Sequence, residues 1–281
     1  MSEEPTVLGI DVGLSGTRAA VLSVSGRVMG RGRCAGEGRG DAGHQPQPQV
    51  WVDEVTKVAR SALAEANARS VDAIGIGALG PVSVLLDEEL NPLAVGPLFP
   101  ADPAMEVQLL ADRDPGALAR AAWLVDACGY LVSTLVGRPV LDRISAADQS
   151  LPQDWHSVRI PQAQEPFAPA GGLTTEAASR LGLVRDTPVT VGTYDTFVDL
   201  AALGVERSGD RGLLLGSTLI VGTVCEGDEA PDGLCASRHA GDGWFIGGWT
   251  QSAGRSLAWW LGLFEPGRRA EMKRDARAMH P

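Results

Sequence analysis

The stretch that decides the fold is Val7-Leu8-Gly9-Ile10-Asp11-Val12-Gly13-Leu14-Ser15-Gly16-Thr17-Arg18-Ala19-Ala20-Val21-Leu22. An apolar run ends at Asp11; small residues and a basic residue follow, then a second apolar run. This reads as a β-hairpin with buried strands and a turn that lets a phosphate approach the backbone. Gly13 and Gly16 lack the Cβ atoms that would block such an approach. The turn amides and the Ser15 and Thr17 hydroxyls are donors, and consecutive amides make an anion-binding concavity. Asp11 suits a hydrated Mg²⁺, a hard cation that prefers carboxylate and water. Taken alone, an ordinary glycine-rich hairpin explains the segment equally well. No Gly-Lys-Ser/Thr follows, so it is not a Walker A loop.

Outward from the hairpin, residues 6–11, 17–24 and 27–34 read as three strands, followed by a Gly-, Pro- and Gln-rich loop over 35–49. Trp51, Val55, Val58, Ala59 and Ala62 recur at helical spacing. Strands are expected at 71–76 and 82–86, an irregular proline-rich stretch over 88–116, and one helix over 116–135. Residues 150–170 read as a surface excursion, 174–183 as a helix with Thr174 or Thr175 as cap. Strand 188–192 leads into a helix over 195–203, then strand-turn-strand over 213–224, a strand at 244–246 and a helix over 250–264. A β-β-β-α-β order argues for an α/β layer fold. Gly75-Ile76-Gly77-Ala78-Leu79-Gly80 spells a dinucleotide fingerprint, but Pro81 and another strand follow where that fold needs a helix N-terminus, so the fingerprint is rejected.

Composition narrows the function classes. The chain has 281 residues, 44% hydrophobic, with net charge −11. That supports a large core and argues against nucleic acid or an anionic membrane as partner. Met1-Ser2-Glu3-Glu4-Pro5 does not read as a signal peptide, and no apolar run reaches the length of a membrane span. Four well-separated cysteines indicate neither zinc nor a disulfide framework. A cytoplasmic location is expected.

Two further segments carry candidate chemistry. Pro188-Val189-Thr190-Val191-Gly192-Thr193-Tyr194-Asp195 delivers Asp195 from a strand to a helix start. The helix dipole there favours the carboxylate, which suits a general base, although an aspartate at a helix start is also a common cap. Asp199 lies one turn further and reads as a solvated or hydrogen-bonded partner. Leu213-Leu214-Leu215-Gly216-Ser217-Thr218-Leu219-Ile220-Val221 repeats the pattern of apolar strand, small-residue turn and apolar strand.

The hairpin Asp11 to Arg18 resembles the first phosphate motif of the actin, Hsp70 and sugar-kinase superfamily, with Leu14 where threonine is frequent. Together with Leu173 to Leu183, Thr187 to Val189, Gly192 to Asp195, and Gly216-Ser217-Thr218, the ordered set resembles the FGGY carbohydrate kinases. Gly247-Gly248, Ala253-Gly254 and Leu257 to Trp260 add to it. The resemblance implies an RNase H-like N-terminal domain over 1–208 and a partial second domain of the same type over 209–281. It implies ATP, Mg²⁺ and transfer of the γ-phosphoryl to a hydroxyl of a small-molecule sugar or polyol. By it, Asp195 is the base and Asp11 the metal anchor. Gly13, Ser15, Gly16, Thr17, Arg18, Gly216, Ser217 and Thr218 bind the ATP phosphates. The family's sugar-contacting runs are altered here to Gly80-Pro81-Val82-Ser83 and to Pro97 to Pro103, where Asp102 alone is left as a substrate-binding candidate. Family members run further, through adenosine-binding glycines, so the adenine pocket is expected to be missing before Pro281. A non-catalytic sugar- or nucleotide-binding descendant of such a kinase is the rival reading. Homodimerisation is left open.

Overall fold

The computed structural model describes residues 4–36, 47–98, 110, 114–149, 151, 155, 157–216, 218–250, 253–264 and 267–268. The chain divides into two compact units, residues 1–204 with 238–241, and residues 205–237 with 242–281. No helix among the described residues is long and apolar enough to cross a membrane.

The first unit opens with β1 (Thr6–Gly13), β2 (Gly16–Ser23) and β3 (Val28–Ala35), an antiparallel meander. Helix α1 (Pro48–Glu65) follows, with proline in its first turn, where a missing N–H costs nothing. It buries Trp51, Val52, Val55, Val58, Ala59, Ala62 and Leu63, the stripe expected from the sequence. This stripe lies directly on β3 because Gly30 and Gly32 have no side chains. A Cβ on Gly30 would stand 2.2 Å from the Ala62 carbonyl oxygen, and one on Gly32 would stand 2.0 Å from that of Val58.

β4 (Ala73–Ala78) returns parallel to β1, as a right-handed crossover through α1 would place it. The sheet runs β10-β11-β4-β1-β2-β3, with β10 (Pro169–Gly172) and β11 (Pro188–Thr190) on the far side of β4 and β12 (Thr193–Tyr194) also pairing with it. A second sheet has β5 (Ser83–Leu86) between β6 (Pro92–Val95) and β7 (Trp123–Asp126). The remaining elements of the unit are the helices α2 (Pro115–Arg120), α3 (Ala127–Val136), α4 (Arg143–Asp148), α5 (Thr175–Leu181) and α6 (Asp195–Ala202), and a two-residue ladder of β8 (Leu141–Asp142) with β9 (Ala163–Gln164). The Thr174 hydroxyl caps α5, accepting from the Ala177 amide at 3.1 Å.

Three expectations are corrected. The stretch 116–135 is not one helix: α2 and α3 are separated by β7, because Trp123-Leu124-Val125 pairs with β5 and Asp126 starts a new helix as its cap. The irregular 88–116 stretch contains β6 and the start of α2. The supposed surface excursion enters the main sheet through β10 and buries Trp155 and Val158.

Beyond residue 204 come β13 (Arg211–Leu215), β14 (Leu219–Cys225), β15 (Cys235–Arg238) and β16 (Trp244–Thr250), in the order β13-β14-β16-β15, then α7 (Gly254–Gly262); all but Arg238 fall in the second unit.

Because Gly32 faces backbone rather than a yielding side chain, Gly32→Val should destabilise the first unit by about 1–3 kcal/mol or more. Gly9→Ala, with nothing within 4 Å of its new methyl, should change stability little. Urea midpoints of the two variants check the contrast.

Candidate active site

Asp11 lies near the carboxyl end of β1, directly across the ladder from Arg18 on β2. That register lets the Arg18 guanidinium reach two groups: Nη1 donates to Asp11 Oδ2 at 2.8 Å and Nη2 donates to Ser15 Oγ at 2.9 Å. The ion pair is solvent-exposed and therefore weak and readily remodelled. Between the strands, Leu14 and Ser15 form the turn. Gly16 has φ +140°, and a Cβ there would strike the Cys34 carbonyl oxygen at 2.2 Å, so the fold itself requires glycine. Gly13 differs. A Cβ on it would meet nothing closer than Asp11 Oδ1 at 3.6 Å, ordinary contact distance, so the fold makes no steric demand for glycine there, and the new methyl would lie against Asp11 and Arg18.

Thr17 is a correction to the expected donor set. Strand alternation turns its side chain inward, where it is fully buried and its hydroxyl donates to Glu54 Oε2 on α1 at 2.5 Å. The hydroxyl ties the hairpin to the helix and is not presented at the turn.

Asp195 is the first residue of α6. Its Oδ1 accepts from the Thr196 amide at 2.7 Å. Burial, then the negative charge of Asp11, push its carboxyl up to about 7, against the lowering effect of the Thr196 amide. The helix start therefore does not dominate as the sequence suggested. Asp199, exposed one turn on, is also raised, by desolvation and Asp11, with Arg18 opposing. Asp11, Arg18, Asp195 and Asp199 thus act on one another electrostatically. The ladders explain why. Asp11 on β1 and Thr193 on β12 both pair with Gly77 of β4, one from each side.

The glycines of the rejected fingerprint serve this juxtaposition. A Cβ on Gly77 would lie 3.1 Å from Val198 Cγ2 on α6, and one on Gly80 would lie 2.1 Å from the Tyr194 ring. They seat the Asp195 segment on β4. Sequence reasoning also missed Asp126, Asp142, Ser145 and Asp148, which surround Thr193 and Tyr194. Their signal was an aspartate before each of two helix starts.

In the second unit, Gly216 and Thr218 occupy the β13–β14 turn, where the Gly216 amide donates to the Thr218 carbonyl at 2.9 Å. The Gly254 amide at the start of α7 donates to the Gly216 carbonyl at 3.0 Å. Gly216 has no atom nearer than 3.7 Å to a hypothetical Cβ. Ser217 and Asp102 lie outside the described residues. No group of three or more His, Cys, Asp or Glu side chains that could hold a metal occurs among the described residues.

Similarity to known proteins agrees with this architecture. The chain superposes on the xylulose kinase from Rhodospirillum rubrum with a TM-score of 0.79 over 96% of its length and 66% of that chain, at 20% identity. The chain has the fold of the FGGY carbohydrate kinases. The same sugar-kinase fold appears in Plasmodium falciparum glycerol kinase, solved with ADP, at a TM-score of 0.73, 11% identity, and 94% and 65% coverage of the two chains. A ribulokinase from Shouchella clausii (strain KSM-K16) is 32% identical over 112 residues, 38% of this chain and 19% of that protein. No protein-family model matches the chain. The chain spans about two thirds of the length of the solved sugar kinases.

Replacing Thr17 by isosteric Val should cost about 1–2 kcal/mol through the lost Glu54 bond. It should leave phosphate binding unchanged. Ser15→Ala should show the reverse pattern. Urea unfolding combined with calorimetric Mg-ATP titration distinguishes the two.

Proposed function

We propose that this chain carries the phosphoryl-transfer half of an ATP-dependent sugar or polyol kinase, with Asp195 as general base. The observation that carries the reading is the pairing of Asp11 and Thr193 with Gly77 from opposite sides of β4. It sets a metal-competent carboxylate and a base candidate at the carboxyl ends of parallel strands, where open α/β sheets bind ligands. A carboxyl raised to about 7 is matched to taking a proton from a hydroxyl near neutrality.

The residues fit the nucleotide and cation. A Cβ on Gly13 would stand 3.6 Å from Asp11 Oδ1 and 3.9 Å from Arg18 Nη1, against the two groups that would meet the phosphate and its metal. Asp11 is a single exposed carboxylate, which suits Mg²⁺, an ion held by one or two carboxylates, water and substrate phosphates rather than by a protein cage. When bound, Mg-ATP supplies the transferable γ-phosphoryl group. The chain's own residues then divide the work. Asp11 anchors the metal. Arg18 exchanges its Asp11 contact for phosphate oxygens, and the amides of the turn between Gly13 and Gly16 donate to them. Asp195 Oδ takes the proton of the acceptor hydroxyl. Positioning and charge neutralisation account for most of the rate in such transfers.

A second reading, nucleotide binding without transfer, is favoured by one observation. Val82 and Ser83, in the run that replaces the family's sugar-contacting residues, are buried at 0% and 3% exposure. ADP release from Mg-ATP against a panel of ketoses, aldoses and polyols separates the two. The kinase reading expects acceptor-dependent ADP that falls by about 10²-fold or more in Asp195→Asn. It also expects kcat to fall as pH drops below about 7, because the base must be unprotonated. Acceptor-independent release, or equal rates in the variant, supports binding alone.

A further inference from the structure

Behind the Asp195 segment lies a buried polar cluster that the transfer chemistry does not use. Asp126 caps α3, and its Oδ1 accepts from the Gly129 amide at 2.7 Å. Asp142 caps α4, and its Oδ1 accepts from the amides of Ile144 and Ser145 at 2.9 and 3.1 Å and from Thr193 Oγ1 at 2.9 Å. Both carboxyls are buried, at 0% and 2% exposure. Ser145 Oγ sits between them, 2.9 Å from Asp126 Oδ2 and 2.5 Å from Asp142 Oδ2.

One hydroxyl hydrogen cannot serve two acceptors. For both contacts to be hydrogen bonds, one carboxyl must donate. Asp142 already receives three donors on its other oxygen, so the negative charge belongs there and the proton to Asp126. The chain then runs from Asp126 Oδ2–H to Ser145 Oγ, and from Ser145 Oγ–H to Asp142 Oδ2, with every group satisfied. The titratable groups facing Asp126 are Asp142 on the α4 cap, Cys128 on its own helix, and Tyr194 on β12. Asp148, at the far end of α4, accepts from the Tyr194 hydroxyl at 3.2 Å. Helix α4 therefore grips both residues that precede Asp195: Thr193 through Asp142 at its start, Tyr194 through Asp148 at its end.

We propose that Asp126, Ser145 and Asp142 share one proton between two carboxyl groups, and that this chain, through Thr193, fixes the orientation of Asp195. Asp126 and Asp142 are positioning residues; this second step rests on the reading of Asp195 as base. The electrostatics agree with the geometry: burial, then the charge of Asp142, raise the Asp126 carboxyl to about 7.

The sign of the pH effect follows. In the unfolded chain Asp126 ionises near the ordinary aspartate value of 3.8, whereas the folded chain keeps the proton to about 7. The stability this gives is present in acid and is lost as pH rises through that window. Asn at 126 places an amide donor against Ser145 and keeps the Gly129 acceptor, so Asp126→Asn should fold. Urea unfolding from pH 5 to 8 should show a dependence shallower by one proton in Asp126→Asn than in the unaltered chain. Equal slopes overturn the shared proton. The positioning step is read at the Thr196 amide, which donates to Asp195. Hydrogen exchange there should speed up by about tenfold in Thr193→Val and return to the original rate in Thr193→Ser. Unchanged exchange in Thr193→Val overturns the positioning step. Neither readout needs turnover. A failed transfer assay with both results as expected removes the kinase reading and leaves the shared proton and the Thr193 link standing.

Discussion

Everything at the candidate site depends on how closely the segment from Thr193 to Val198 can approach β4. Val198 Cγ2 would stand 3.1 Å from a Cβ on Gly77, and the Tyr194 ring would overlap one on Gly80. Without side chains at those two positions, α6 sits on the strand and Asp195 is delivered beside the end of β1. Interiors are close-packed and do not absorb an extra methyl group freely. Gly77 and Gly80 therefore set how closely the Asp195 segment lies to the end of β1, although neither carries a functional group.

The same approach concentrates negative charge. The charge of Asp11 resists the ionisation of Asp195 and Asp199, and Arg18 is the guanidinium that pairs with Asp11 and opposes the effect at Asp199. A site with this balance favours cations, and a metal-bound polyphosphate brings its own counter-charge. Asp126 and Asp142 lie deeper, where carboxylates tolerate burial because backbone amides and hydroxyls supply the donors.

Much of this was legible in the sequence. The Val7–Leu22 hairpin announces itself by two apolar runs around a glycine-rich turn, and the step from β11 through β12 into α6 by an apolar run ending at an aspartate. Other parts were not readable. Thr17 looked like a phosphate donor because spacing along a strand does not reveal that its face meets Glu54. The strand β7 was hidden in a continuous apolar stretch, where period alone does not separate strand from helix. The Asp126–Ser145–Asp142–Thr193 cluster joins residues 19 and 51 positions apart, so no local pattern marks it. The glycines at 75, 77 and 80 were visible as a motif, but the role of Gly77 and Gly80 as a seat for a later segment is a property of the sheet order.

The proposed function rests on phosphate binding at the turn that begins at Gly13. The fold makes no steric demand for glycine there, since a Cβ would lie 3.6 Å from its nearest neighbour. Calorimetric titration of Mg-ATP into Gly13→Ala, compared with the unaltered chain at matched stability, tests the claim most directly. The account predicts an unchanged urea midpoint with affinity reduced by about tenfold or more, a loss of about 1.4 kcal/mol in binding. Equal affinity in the two proteins would contradict it.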